Sequence, residues 1–159
     1  MQLLTFTVAG QAYAIESRRV VEVLPLVPAR PIPHTPAYVR GIFPYRGRLV
    51  PLVDLGLRLA DLVPNERLST RVIVVEPASP GAGIGQPAAR LGLVAENVIS
   101  IGSAEDADAD LPALDLPDAA FLGRILRIGG RTVQILDVDR LLPPELAAGL
   151  FPAATPSPT

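Results

Sequence analysis

Apolar and polar residues alternate along much of this chain in short runs of period two, the pattern of half-buried strands. Leu4, Phe6 and Val8 alternate with Thr5 and Thr7, Ala9-Gly10-Gln11 turns the chain, and Tyr13 to Ile15 returns. Glu16 to Val21 fits one helical turn, with Ser17 as its cap and Val20 and Val21 facing inward, and Val21 to Leu26 is again strand-like. The next stretch carries Pro25, Pro28, Pro31, Pro33 and Pro36. Proline fixes φ and donates no ladder hydrogen bond, so this stretch is expected to wrap a barrel surface as a stiff, extended segment. Val39 to Leu59 then reads strand, turn, strand and short amphipathic helix. Gly47 suits the turn position that needs a positive φ. Asp54 suits the N-cap of the helix. Pro51 makes its strand an edge there, or bulged.

This unit recurs. Arg131 to Leu142 (RTVQILDVDRLL) matches Arg48 to Leu59 (RLVPLVDLGLRL), with Val50 against Val133, Asp54 against Asp137 and Leu59 against Leu142. Before the turn, Ile42 corresponds to Ile125, and Gly47 to Gly130. Tyr13 to Val23 also resembles Leu91 to Ile101, and the two matches lie in the same order. An internal duplication is therefore expected, with residues 1–66 as a first β-barrel unit, 67–150 as a second, and a disordered tail at 151–159. Strands are free to exchange between the units.

The intervening segments fit that division. Pro64 to Arg67 is a polar link, Arg71 to Glu76 a buried strand, and Pro77 to Ala89 a flexible hairpin loop rich in Gly and Pro. Ala104 to Pro117 is acidic, Phe121 to Leu136 is a hairpin turning at Gly129-Gly130, Asp137 is expected to cap a short helix, and Pro143 to Leu150 to form a terminal one. The fold class expected is all-β: two small five-stranded barrels with short helices.

Composition narrows function mainly by exclusion. The 159 residues allow one ordinary domain or two small ones sharing a core. With 14 basic and 16 acidic residues, net charge near −2 gives no electrostatic case for nucleic acid or an anionic membrane. The absence of cysteine excludes disulfides, thiolate metal sites and a cysteine nucleophile. No apolar run reaches the roughly 20 residues that span a bilayer. The first ten residues lack a basic leader, and a cytoplasmic protein is expected.

No catalytic, cofactor or metal site is expected. His34 is the sole histidine and stands in the proline stretch. Asp106, Asp108 and Asp110 lack the Gly and the terminal Glu of a calcium loop, so they read as a solvated acidic segment. Arg46 is different. Its counterpart in the second unit is Gly129, so the fold does not require an arginine there. Arginine suits bidentate recognition, and Glu22 is available to orient it.

With these residues in place the chain resembles the CheW-like coupling proteins of bacterial chemosensory systems. The resemblance rests on Phe6, Tyr13-Ala14-Ile15, Val20 to Val23, Thr35-Pro36, Gly41, Arg46-Gly47, Val50-Pro51, Val53-Asp54-Leu55, Gly92 and Asn97-Val98. It implies two SH3-like barrels with a hydrophobic interior between them, and no enzymatic activity. It implies an adaptor in a two-component signalling array at the inner membrane, linking the hairpin tip of a chemoreceptor to the regulatory domain of a CheA-type histidine kinase. The receptor surface it implies carries Arg46, Gly47, Glu22 and Val20. Val39 and Ile42 would add a groove for the apolar stripe of the receptor tip. Pro44-Tyr45 before Arg46, Ala95-Glu96 and the long Pro77–Ala89 loop depart from the family pattern and suggest a divergent member, one serving a non-motility pathway. Two other readings compete: a generic barrel binding extended peptides at an edge near Pro51, and a small hydrolase using Asp and Arg, which lacks a nucleophile–base pair.

Overall fold

A computed structural model describes residues 1–60, 68–78, 89–113 and 115–151. Ten strands are described: β1 (Gln2–Val8), β2 (Gln11–Glu16), β3 (Val20–Pro25), β4 (Val39–Tyr45), β5 (Arg48–Asp54), β6 (Thr70–Val75), β7 (Leu91–Ser103), β8 (Ala109–Leu111), β9 (Leu122–Ile128) and β10 (Arg131–Leu136). Two short helices, α1 (Leu55–Ala60) and α2 (Pro144–Leu150), follow the two repeated hairpins.

The strands form two small SH3-like barrels that share β7. The first runs β3-β6-β7-β5-β4, and the second continues from β7 through β1-β2-β10-β9-β8. Hydrogen bonding crosses the 66/67 repeat boundary in both directions. β5 pairs in parallel with β7, Leu52 opposite Gly92, and β10 pairs in parallel with β2, Val133 opposite Ala12.

Three apolar clusters explain why these segments are strands buried on both faces. Phe43, Val50, Leu52, Val72, Val74 and Val94 fill the first barrel. Leu3, Ala14, Leu126, Val133 and Ile135 fill the second. Between the barrels lies a seam that includes Phe6, Ile15, Val53, Leu55, Ile73, Leu91, Leu93 and Leu141. Neighbours in one strand point to opposite faces. Val72 and Val74 therefore enter the barrel while Ile73 and Val75 enter the seam, and the run VIVV that follows Arg71 has no polar position.

The proline stretch lies along β4. Its Arg30 exchanges two backbone hydrogen bonds with Ile42, at 2.8 and 2.9 Å. Gly41 makes this approach possible: its φ is +138°, and a Cβ there would sit 1.9 Å from the Arg30 carbonyl oxygen.

Several local expectations are corrected. Ser17 is not a cap: the turn at Ser17–Arg19 is a single 3₁₀ turn that begins after Glu16, with no side-chain capping bond. Leu91 to Ile101 does not repeat a turn and a strand. It lies within one 13-residue strand, where Asn97 adopts φ +47° beside a register shift against β1. Asp137 caps a turn, accepting from the Asp139 N–H at 3.0 Å, and no helix starts there. Pro143 and Pro144 follow too soon for a helix to propagate, whereas the segment after Asp54 has no proline before Pro64. The acidic segment contains a short edge strand, β8, beside β9. The polar link, most of the Pro77–Ala89 loop and tail residues 152–159 lie outside the described residues.

Candidate functional site

The candidate site is built on the tip of the first hairpin. Tyr45 pairs with Arg48, leaving Arg46 and Gly47 as a two-residue turn with φ +49° and +75°. Two positive φ values match the twist of the flanking strands, which is why Asn and Gly dominate such turns. The second hairpin has the same geometry: Ile128 pairs with Arg131 around Gly129 and Gly130, φ +57° and +80°. Arginine carries a Cβ into a region that glycine occupies freely, so Arg46 holds a conformation of modest strain.

Its side chain is tethered. Arg46 Nη2 lies 2.9 Å from Glu22 Oε1, with the two side chains 65% and 37% exposed. The Tyr45 hydroxyl donates to the same oxygen at 2.5 Å, and Arg46 Cζ stands 5.1 Å from the Tyr45 ring centroid. Burial first, then the bond to Glu22, raises the Tyr45 hydroxyl above the usual phenol range. An ion pair this exposed contributes at most about 1 kcal/mol. Its effect is orientation: the guanidinium is held at the rim of the barrel with most of its surface open.

The other residues singled out in the sequence divide. Val20 is half-buried, two positions before Glu22, and Ile42 is half-buried beside the proline stretch. Val39 is 6% exposed and is removed from any surface groove, because it points inward next to the register shift of β4. Tyr45 was not singled out; its only signal in the sequence is an aromatic residue immediately before the arginine. Pro51 is buried, so the peptide edge imagined there is closed.

Acidic groups elsewhere serve the fold. Asp54 is 1% exposed, accepts from Arg40 Nε at 2.9 Å and caps α1 through the Leu57 N–H at 3.2 Å. Asp106, Asp108 and Asp110 are exposed, and Asp110 pairs with Arg124 at 2.8 Å. His34 is exposed in a turn of the proline stretch. Among the described residues no cluster of His, Cys, Asp or Glu could hold a metal ion, and no helix is long and apolar enough to cross a membrane.

Comparison with known proteins places this architecture. The family model described as "CheW-like domain" matches residues 2–145. The chain belongs to the CheW-like family. The chemotaxis protein CheW of Rhizobium meliloti is 29% identical over 147 residues, covering 91% of this chain and 88% of that protein. The chemotaxis protein CheW of Treponema pallidum is 25% identical over 146 residues, covering 88% and 81%. In three dimensions the chain matches the crystal structure of the scaffolding protein TtCheW from Thermoanaerobacter tengcongensis with a TM-score of 0.73, at 24% identity and over 89% and 87% of the two chains. The CheW-like fold is thus shared even where few side chains are.

Proposed function

We propose that this chain is a non-enzymatic adaptor that couples the hairpin tip of a chemoreceptor to the regulatory domain of a CheA-type histidine kinase, in the cytoplasm at an inner-membrane array. The observation that carries the reading is Arg46. It occupies a turn where the repeat uses glycine, and it is oriented by Glu22 and Tyr45 while staying largely exposed. Arg46 anchors a polar contact at the edge of the receptor helices, Gly47 keeps the turn narrow, and half-buried Val20 and Ile42 offer the neighbouring apolar surface. A rigid arginine next to apolar side chains is the composition of an interaction hot spot. Membership of a family whose relatives are named chemotaxis proteins supports the same reading.

The test is a calorimetric titration of the purified chain with a receptor cytoplasmic fragment, for the unmodified protein and for Arg46→Ala, with thermal melts of both. Binding lost at an unchanged melting temperature is the expected result. Equal binding by the two proteins would remove Arg46 from the interface, and a collapsed melt would make it structural.

A further inference from the structure

A groove of about 910 Å³ opens where the barrels meet, bordered by α1, α2, the start of β7 and Pro77-Ala78 after β6. Its volume lies in the range of small-molecule pockets. Most of its wall is apolar, with Leu91, Phe121, Leu142, Ala147 and Phe151 among the lining residues.

One cation is built into that wall. The Arg58 guanidinium lies between two rings, its Cζ 4.9 Å from the Tyr38 centroid and 4.3 Å from that of Phe121. Its Nε donates to the Leu141 carbonyl at 2.9 Å. Among the described residues no carboxylate pairs with it and no acceptor meets its two Nη groups. The other charged groups of the groove are engaged or open to solvent. Asp139 accepts from Arg19 Nη2 at 2.9 Å and from the Ala78 N–H at 2.6 Å. Asp118 is exposed, and Arg140 is 68% exposed and 3.6 Å from Asp137.

The repeat makes this arginine informative. Tyr38 and Phe121 are counterparts: the Asp54 N–H donates to the Tyr38 carbonyl at 2.7 Å, and the Asp137 N–H to the Phe121 carbonyl at 2.8 Å. By the same correspondence the counterpart of Arg58 is Leu141, which is fully buried. The fold accepts an apolar side chain at that place, and a half-buried cation there costs desolvation.

We propose that this groove binds a small hydrophobic carboxylic acid, its carboxylate on the Arg58 fork and its apolar body along Phe121, Leu142 and Phe151. Two flanking rings and one carbonyl already fix the guanidinium, so little freedom is lost when it takes a bidentate partner. This site is separate from Arg46 and does not depend on the adaptor reading.

The experiment is an amide ¹H–¹⁵N titration of the full chain with decanoate and, in parallel, with decanamide, which has the same body without the charge. Shifts are expected around Arg58, Leu91, 117–121 and 138–151, with the amide weaker by about tenfold. Arg58→Gln is expected to lower acid affinity by about tenfold while leaving amide affinity unchanged. Ala148→Phe, at an exposed groove position on α2, is expected to obstruct both. Equal affinity for acid and amide, shifts located elsewhere, no response to decanoate, or full acid affinity in Arg58→Gln would each overturn the assignment. The acid–amide comparison and Ala148→Phe decide the matter even if Arg58→Gln folds poorly.

Discussion

The two repeated hairpins, β4–β5 and β9–β10, share strand register and left-handed turns, and each lends its second strand to a parallel partner from the other half of the chain. They differ in what surrounds them. The outer edge of β4 is met by the proline stretch at Ile42, and that of β9 by β8, where Leu111 faces Ile125. The first turn carries Arg46 and the second Gly129. Asp54 is sealed beneath Arg40, whereas Asp137 is 43% exposed at its side chain. The shared features are those the barrel needs. The differences mark where one copy took on something the fold did not ask for.

The comparison can be broken most severely at Gly41, whose counterpart by the same correspondence is Arg124. Gly41→Ala combines a clash with the Arg30 carbonyl and a strained φ, and is expected to cost about 4 kcal/mol by denaturant unfolding. Arg124→Ala removes only an exposed ion pair with Asp110 and should change stability by less than about 0.5 kcal/mol. A similar cost at both positions would refute the idea that the stretch covering β4 dictates the glycine.

The paired aspartates give the next largest contrast. Asp54→Asn leaves Arg40 without its buried carboxylate and should destabilise by about 3 kcal/mol. Asp137→Asn, at a half-exposed turn, should cost under about 1 kcal/mol. Urea midpoints of the two variants would check this.

Swapping the turns sharpens the comparison further. Arg46→Gly relieves a positive φ and loses a weak ion pair, so its melting behaviour should match the unmodified protein to within about 0.5 kcal/mol. Its affinity for a receptor fragment should nevertheless fall by about tenfold. Gly129→Arg should cost about 1 kcal/mol and confer no binding.

The smallest effect lies in the acidic segment. The carboxyl of Glu105 is lowered to about 2, first by the hydrogen bond from the Met1 ammonium and then by the Ser103 hydroxyl. A lowered carboxyl stabilises the fold above its ordinary value of 4.5, and the effect fades as pH falls toward about 2. Glu105→Gln should therefore lower stability slightly near neutrality and flatten its pH dependence between about 4.5 and about 2, with the difference from the unmodified protein vanishing at the acid end of that window. Melts at stepped pH would show this.

Much of this contrast was legible in the sequence. The duplicated hairpins stand out because alternating apolar residues flank short turns at a fixed spacing, and Arg46 stands out because its counterpart is glycine. The strand order was not legible. Val50 to Val53 is buried on both faces, and such a run says that it has neighbours without saying which. Val39 looked like groove surface because an alternating pattern does not reveal its own inward face when a register shift interrupts it. The helix expected after Asp137 failed because the local capping signal was overruled by two prolines downstream. Tyr45 was missed because its role depends on Glu22, a residue brought in from another strand.

The exchanged parallel strands bear on how the molecule is made. Neither barrel is complete until β5 has met β7 and β10 has met β2, so both halves of the chain are needed for either barrel to close. Closing such long loops before their contacts form is slow, which places this fold among the slower two-state topologies for its length. A ribosome releasing the first half cannot yet release a finished barrel. The nascent chain must wait with apolar strands uncovered until the second copy of the hairpin arrives.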